Sequence, residues 1–285
     1  MTCSNAVAPS SSQPGVVVST SEARSILTPA SGFMQRYRYT LNPYAGCAFG
    51  CPYCYARAFV FRAAEEESWG RWVTAKRNAI ELVAAACRSG DLADGDAVYL
   101  SSVTDPYQPI ERRLRLTRGI LEAILTAGVQ PRLTVQTRSP LVVRDVDLLR
   151  RFEHLRVNVT VSTDSDAIRR EYEPRCPPIT ARFGALEALA RAGVRIGVSV
   201  SPMLPIEDPR GFGARLAALR ADEYVTQYLK PPAPRSAGGT SRAVLDRLRA
   251  DGWGPREYRH AATAIRVALG EAGPLLEGMQ GYAPA

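Results

Sequence analysis

From residue 97 onward the chain repeats one pattern: a short apolar run, a polar turn, then a longer amphipathic stretch. The apolar runs fall at 97–100, 133–137, 157–161, 194–200 and 224–229. They are short and rich in β-branched and aromatic residues, which predicts strands. Between them, apolar residues recur every three or four positions, which predicts helices. One has Ile120, Leu121, Ile124 and Leu125 on its face, Thr117 as its cap and Gly128 as its stop. Others are expected at 143–151, from Ile179 through Phe183, Leu186 and Leu189 to Gly193, and at 212–219. Helices near 241–250 and 256–269 close the chain. Upstream, 37–41 alternates and reads as a strand, and 56–67 reads as a helix. A longer helix is expected over 72–89, with Ile80, Val83 and Cys87 on one face and Gly90 as its stop.

Alternation of strand and helix, with mostly apolar strands, marks a parallel sheet covered by helices. Six strands are too few for a complete eightfold barrel. The expected fold is therefore α/β, a partial (β/α)6 TIM-type barrel, with a doubly wound open sheet as the alternative. No Gly-x-Gly-x-x-Gly turn follows a strand, which counts against a dinucleotide site. Residues 1–22, rich in Ser, Ala, Pro and Val, are expected to be a disordered leader. The barrel core is expected over 23–235 and a helical extension over 236–285.

Composition narrows the function classes. A hydrophobic content of 46% suits a globular core, and no window of eighteen uncharged apolar residues suggests a membrane span. The leader lacks the apolar centre of a signal peptide. The net charge is +8, yet only Lys76 and Lys230 are lysines among 36 basic residues. The densest basic run, 112–118, reads as a solvated loop and helix start in preference to a phosphate-binding face. Nucleic acid is thus the disfavoured partner. A reducing cytoplasm is expected, because the cysteines are clustered as ligands and not spread as disulfides.

The cluster is Cys47-Ala-Phe-Gly-Cys51-Pro-Tyr-Cys54. Grouped thiolates select zinc, copper(I) or an iron–sulfur cluster. Closed zinc sites take four ligands, usually as two pairs, and here there is one triplet with both histidines far away. Three cysteines on a [4Fe–4S] cluster would leave one iron open. A non-catalytic structural metal site is the alternative. The strand ends are polar, where parallel α/β folds collect ligands. Ser102 and Asp105 follow one strand, Arg138 the next, then Ser162 and Asp164. Arg138 offers a planar two-pronged donor for a carboxylate. Arg175 is placed either to pair with Glu173 or to reach the barrel mouth.

The C-x3-C-x2-C spacing resembles the signature of the radical S-adenosylmethionine (SAM) superfamily. From about Ile26 to Leu229 the chain is similar to its spore photoproduct lyase-like branch. The motifs are Leu27-Thr-Pro-Ala-Ser-Gly-Phe33, the stretch from Tyr39 to Cys51, Thr104-Asp-Pro-Tyr-Gln-Pro109, Gln136-Thr-Arg-Ser-Pro140 and Glu173-Pro-Arg175. The resemblance implies a [4Fe–4S] cluster on Cys47, Cys51 and Cys54. It implies SAM at the fourth iron, cleaved reductively to a 5′-deoxyadenosyl radical. It further implies SAM contacts from the Tyr53 backbone, Arg138 and Ser162. Ser102 and Asp105, from their strand end, and Arg175, from its loop, are further cofactor-side candidates. Tyr55 matches a tyrosine that helps return a hydrogen atom. The lyase's hydrogen-donor cysteine has no counterpart at Ser101-Ser102-Val103-Thr104, and Cys176 is the candidate substitute. The expected substrate is a small molecule of nucleoside type, with a flavodoxin or ferredoxin as reductant. DNA repair is the alternative.

Overall fold

The computed structural model describes residues 15–60, 62–230 and 239–285. Cys3 and most of the expected leader lie outside these. The main sheet has eight strands in the order β11-β10-β9-β8-β7-β6-β3-β2. They are β2 (Leu27–Pro29), β3 (Tyr39–Leu41), β6 (Ala97–Leu100), β7 (Arg132–Thr137), β8 (Leu155–Thr160), β9 (Ile196–Val200), β10 (Glu223–Thr226) and β11 (Leu275–Glu277). All neighbours pair in parallel except β2 with β3. Helices α2 (Ala79–Ser89), α4 (Leu116–Thr126), α7 (Ile179–Arg191), α8 (Pro209–Ala217) and α10 (Pro255–Leu269) intervene between successive parallel strands. This is the open, partial (β/α) barrel that the strand and helix pattern predicts.

The six expected strands are present, and three features differ. First, 72–89 is not one helix. Trp72–Lys76 is a strand, β5, and the helix begins at Ala79. Its alternating Val73 and Ala75 are buried against a second small core, and pairing with two neighbouring strands, not the local pattern, decides the strand. β5 pairs in parallel with β1 (Val17–Ser21) and antiparallel with β4 (Tyr44–Ala45). The chain thus enters the fold before residue 22, where the leader was expected to end. Second, 56–67 is broken into a 3-10 turn at Tyr55–Phe59 and the short helix α1, Ala63–Glu67. Third, 236–285 is not only helical. After α9 (Arg242–Ala250) and α10, β11 joins the barrel sheet beside β10.

The strands also alternate more strictly than their apolar character suggests. Leu133, Val135, Val157, Val159, Ile196, Val198 and Val200 pack in the main hydrophobic core. The intervening residues form a polar lining. Tyr99 donates to Gln136 at 3.0 Å, and Gln136 donates to Thr160 at 2.7 Å. Arg156 bonds Asn158 at 3.0 Å and pairs with Glu223 at 2.9 Å. The end of the chain occupies the barrel at the start of these strands. The Ala283 amide donates to Glu223 at 3.1 Å, and its carbonyl accepts from Arg156 and Tyr37. The Tyr282 hydroxyl meets Ser199 at 2.8 Å.

Short helices α3 (Glu111–Leu114), α5 (Val146–Leu149) and α6 (Asp166–Tyr172) complete the set. No helix among the described residues is long and apolar enough to cross a membrane. Thr117 does not cap α4, because its hydroxyl donates to the Pro106 carbonyl at 2.6 Å. The cap is the carboxylate of Glu111, which accepts the amides of Thr117 and Arg118. Glu111 is fully buried, accepts from Tyr44 and pairs with Arg144 at 2.8 Å. It thereby ties the small sheet to the barrel. Glu111→Ala is expected to lower unfolding free energy by about 3–5 kcal/mol, the usual loss when one member of a buried ion pair is removed. Denaturant titration of both proteins checks this, and a change below about 1 kcal/mol would remove Glu111 from that role.

Candidate active site

The cysteine loop leaves β4 and lies over the carboxyl ends of the barrel strands. Its turns are closed by Gly50 N to Cys47 O, 3.1 Å, and Cys54 N to Cys51 O, 3.0 Å. Gly50 has φ +57°, a region that disfavours side chains, and a Cβ there would stand 2.7 Å from the Gly70 Cα. Two backbones therefore touch where two glycines meet. The Thr104-Asp-Pro-Tyr-Gln-Pro109 motif holds the loop from the barrel side. Thr104 donates to the Gly46 carbonyl at 2.6 Å, and Gln108 accepts the Ala48 amide at 2.9 Å. Arg175 donates to the Gly70 carbonyl. It forms no ion pair with Glu173 among the described residues, and it braces the turn behind the loop.

Cys47 and Cys51 are buried, Cys54 is partly so, and all three are free thiols. Among the described residues no three His, Cys, Asp or Glu side chains converge on one metal ion. Burial pushes the Cys47 thiol up, and Asp105 adds to it. Burial likewise pushes Cys54 up to about 11. Cys51 moves the other way. Its hydrogen bond with Cys176 lowers it most, burial opposes, and the Arg138 guanidinium lowers it further. The two sulfurs are 3.5 Å apart, and Arg138 Nη1 lies 3.1 Å from Cys51 Sγ but 3.9 Å from Cys176 Sγ. The thiol nearer the guanidinium is the one whose proton is held less tightly. Soft donors on one loop, with a fixed cation beside the central one, fit an iron–sulfur cluster.

Beneath the loop, one carboxylate gathers the site. Glu173 is fully buried. Its Oε1 accepts from Arg138 at 2.9 Å, from Ser162 at 2.7 Å and from the Tyr53 hydroxyl. Its Oε2 takes Arg182. Burial would raise its pKa, but Arg182 and then Arg138 outweigh burial and hold the carboxyl at about 2. Sequence reasoning named Arg138, Tyr53, Ser162, Cys51 and Cys176, and all five converge here. It missed Glu173 as the hub and Arg182 as its second cation. The only signal was the Glu-Pro-Arg motif, whose arginine drew attention from its glutamate.

The other named residues divide. Tyr55, 37% exposed, donates its hydroxyl to the Ser102 carbonyl at the mouth. Asp105 is buried and holds backbone and side-chain donors of the barrel. Its oxygens accept Thr137 Oγ1 at 2.7 Å and the amides of Tyr107 and Arg138, both at 2.9 Å. It therefore fixes the backbone that carries Arg138. Asp164 accepts the amides of Glu207 and Asp208 and serves the loop after β9. The Tyr53 carbonyl accepts from Thr240 at 3.3 Å.

Glu173→Gln is expected to destabilise the protein by about 3–5 kcal/mol above pH 5, because two buried guanidiniums lose their counter-charge. The folded carboxyl titrates near 2, below the unfolded value of about 4.3. The stabilisation is therefore full above the unfolded value and lost as pH falls toward the folded one. Denaturant midpoints of both proteins across this range should converge on acidification. A pH-independent gap would contradict the assignment.

Residues 41–214 match the family model for the radical SAM superfamily. Over 168 residues the chain is 34% identical to an uncharacterised protein of Methanocaldococcus jannaschii, covering 59% of this chain and 61% of that protein. The chain thus spans about three-fifths of that relative's length. It is 25% identical over 201 residues to a radical SAM Nα-GlyT isomerase of Pseudomonas phage M6, covering 66% of this chain and 39% of the isomerase. Among solved structures, a spore photoproduct lyase mutant superposes with a TM-score of 0.62 over 92% of this chain and 81% of the lyase. At 16% identity, that likeness speaks to the fold. With the matched segment containing the cysteine loop and most of the barrel, the chain belongs to the radical SAM superfamily, whose members use a [4Fe–4S] cluster and SAM.

Proposed function

We propose that the protein is a radical SAM enzyme acting on a small organic substrate of nucleoside type, with a flavodoxin- or ferredoxin-like protein as electron source. The observation that carries this reading is the contact between Arg138 and the Cys51 sulfur, 3.1 Å, within a loop of three thiols over a parallel barrel's carboxyl mouth. When bound, the cluster and SAM supply a 5′-deoxyadenosyl radical that removes a hydrogen atom from the substrate. Cys47, Cys51 and Cys54 would hold the cluster. Arg138, kept in place by Glu173 and by its own amide on Asp105, would direct a guanidinium edge at the SAM carboxylate. Ser162 and Tyr53 stand on the same carboxylate and would line the SAM side. Tyr55 and Ser102 lie at the open mouth and would face substrate, with Tyr55 as the hydrogen-returning group. Cys176 sits below the loop against Cys51, and its part in this reading is to support that sulfur.

A repair enzyme would need a cationic face for DNA phosphates. Arg118, in the densest basic run, instead forks onto Asp147 at 2.9 and 2.7 Å and reaches Asp145 at 3.0 Å. That pairing favours the small-molecule reading.

Anaerobic reconstitution is expected to load about four irons per chain and, with a reductant, to convert SAM to 5′-deoxyadenosine. Cys51→Ala should abolish both, and full activity in that variant would overturn the reading. Arg138→Ala should weaken SAM binding by about tenfold or more, as loss of a charge-assisted hydrogen bond does, while iron content stays. An unchanged SAM dissociation constant would remove Arg138 from the SAM site.

A further inference from the structure

The guanidiniums around the barrel are matched with carboxylates. Arg138 and Arg182 share Glu173, and Arg156 holds Glu223. Lys230, beyond the carboxyl end of β10, is not matched in this way. Its ammonium lies 4.7 Å from the centre of the Phe33 ring and 5.1 Å from that of Tyr55. It has no carboxylate partner among the described residues. Partial burial lowers its proton affinity. Two aromatic faces retain a cation there at about 0.5–2 kcal/mol each, yet they supply no counter-anion.

A second, independent feature marks the same mouth. Tyr55, whose ring flanks Lys230, donates its hydroxyl to the carbonyl of Ser102. Its neighbour Ser101 has φ +75° and is 2% exposed. The Ser101 hydroxyl has no hydrogen-bond partner. A serine held in the left-handed region with an orphaned buried hydroxyl combines two costs that cluster at ligand sites. The chain otherwise takes arginine almost everywhere it needs a cation, with Lys76 and Lys230 the only lysines. An ammonium is compact, and its three rotatable donors suit a single oxyanion between two rings better than a planar fork does.

We propose that Lys230 is the substrate-anchoring cation of this barrel, receiving an oxyanion, phosphate or carboxylate, carried by the substrate. This rests on the enzyme reading above and deepens it, because the substrate becomes anionic, such as a nucleotide in place of a nucleoside.

The two-lysine composition makes the test direct. Reductive 13C-methylation of the anaerobically reconstituted full chain gives one side-chain signal for each lysine, with the charge kept. Lys230→Arg, which removes one signal, assigns them. Lys76, partly buried on the small sheet, is the internal control. The chain is titrated with a nucleoside 5′-monophosphate, the matching nucleoside, inorganic phosphate and acetate. The Lys230 signal is expected to move with the nucleotide and not with the nucleoside, while the Lys76 signal stays. Response to phosphate alone or acetate alone assigns the oxyanion to one source or the other. Calorimetry should show the Lys230→Met protein binding its responding ligand about tenfold more weakly, a loss of about 1.4 kcal/mol. Equal movement of both lysines, movement of neither, or unchanged affinity in Lys230→Met overturns the proposal. None of these readouts needs turnover, so 5′-deoxyadenosine formation stands or falls separately.

Discussion

The structure turns on one carboxylate held between two guanidiniums. Glu173 has no access to solvent, and in that setting a lone charge would be neutralised or expelled. Arg138 and Arg182 prevent this from opposite oxygens, with Ser162 and Tyr53 completing its acceptor sites. Four segments distant in sequence are fixed by that arrangement: the cysteine loop, the end of β7, the end of β8 and helix α7. Arg138 is the shared member. Its Nη1 lies within reach of both Glu173 and the Cys51 sulfur, so the geometry that satisfies a buried charge also brings a cation to the metal-binding loop.

The loop itself is clamped from outside the barrel as well. Its Gly50 presses against Gly70, whose carbonyl is taken by Arg175. Arg175 and Glu173 are two residues apart, and they brace opposite sides of the same loop. The small sheet supplies the other wall, bound to the barrel through Tyr44 and Glu111. A mobile loop would let three thiols reach many geometries, including an intraloop disulfide. These clamps narrow that range.

Much of the architecture was legible in the sequence because parallel strands and amphipathic helices carry strong periodic signals. The six expected strands are present for that reason. The stretch from Trp72 misled because Val73 and Ala75 alternate over too few residues to compete with the helical face beginning at Ile80. Strand β11 is three residues long and gains its stability from β10, a partner that local pattern does not reveal. The site was legible where chemistry is local, as in the cysteine triplet, and where a strand end placed one residue, as with Arg138 and Ser162. The partners of Asp105 and Arg175 were not legible, because carboxylates and guanidiniums serve backbone groups as readily as ligands, and only the fold shows the amides and the carbonyl they hold. Glu173 escaped notice because a buried charge cannot be told from a solvated one until its partners are in place.

The last residues of the chain fill the barrel at the start of its strands, with Ala283 between Glu223 and Arg156 and Tyr282 reaching up to Ser199. Residues 282 and 283 therefore tie the starts of β8 and β10 together from below, while the cysteine loop is tied to the opposite ends of the strands.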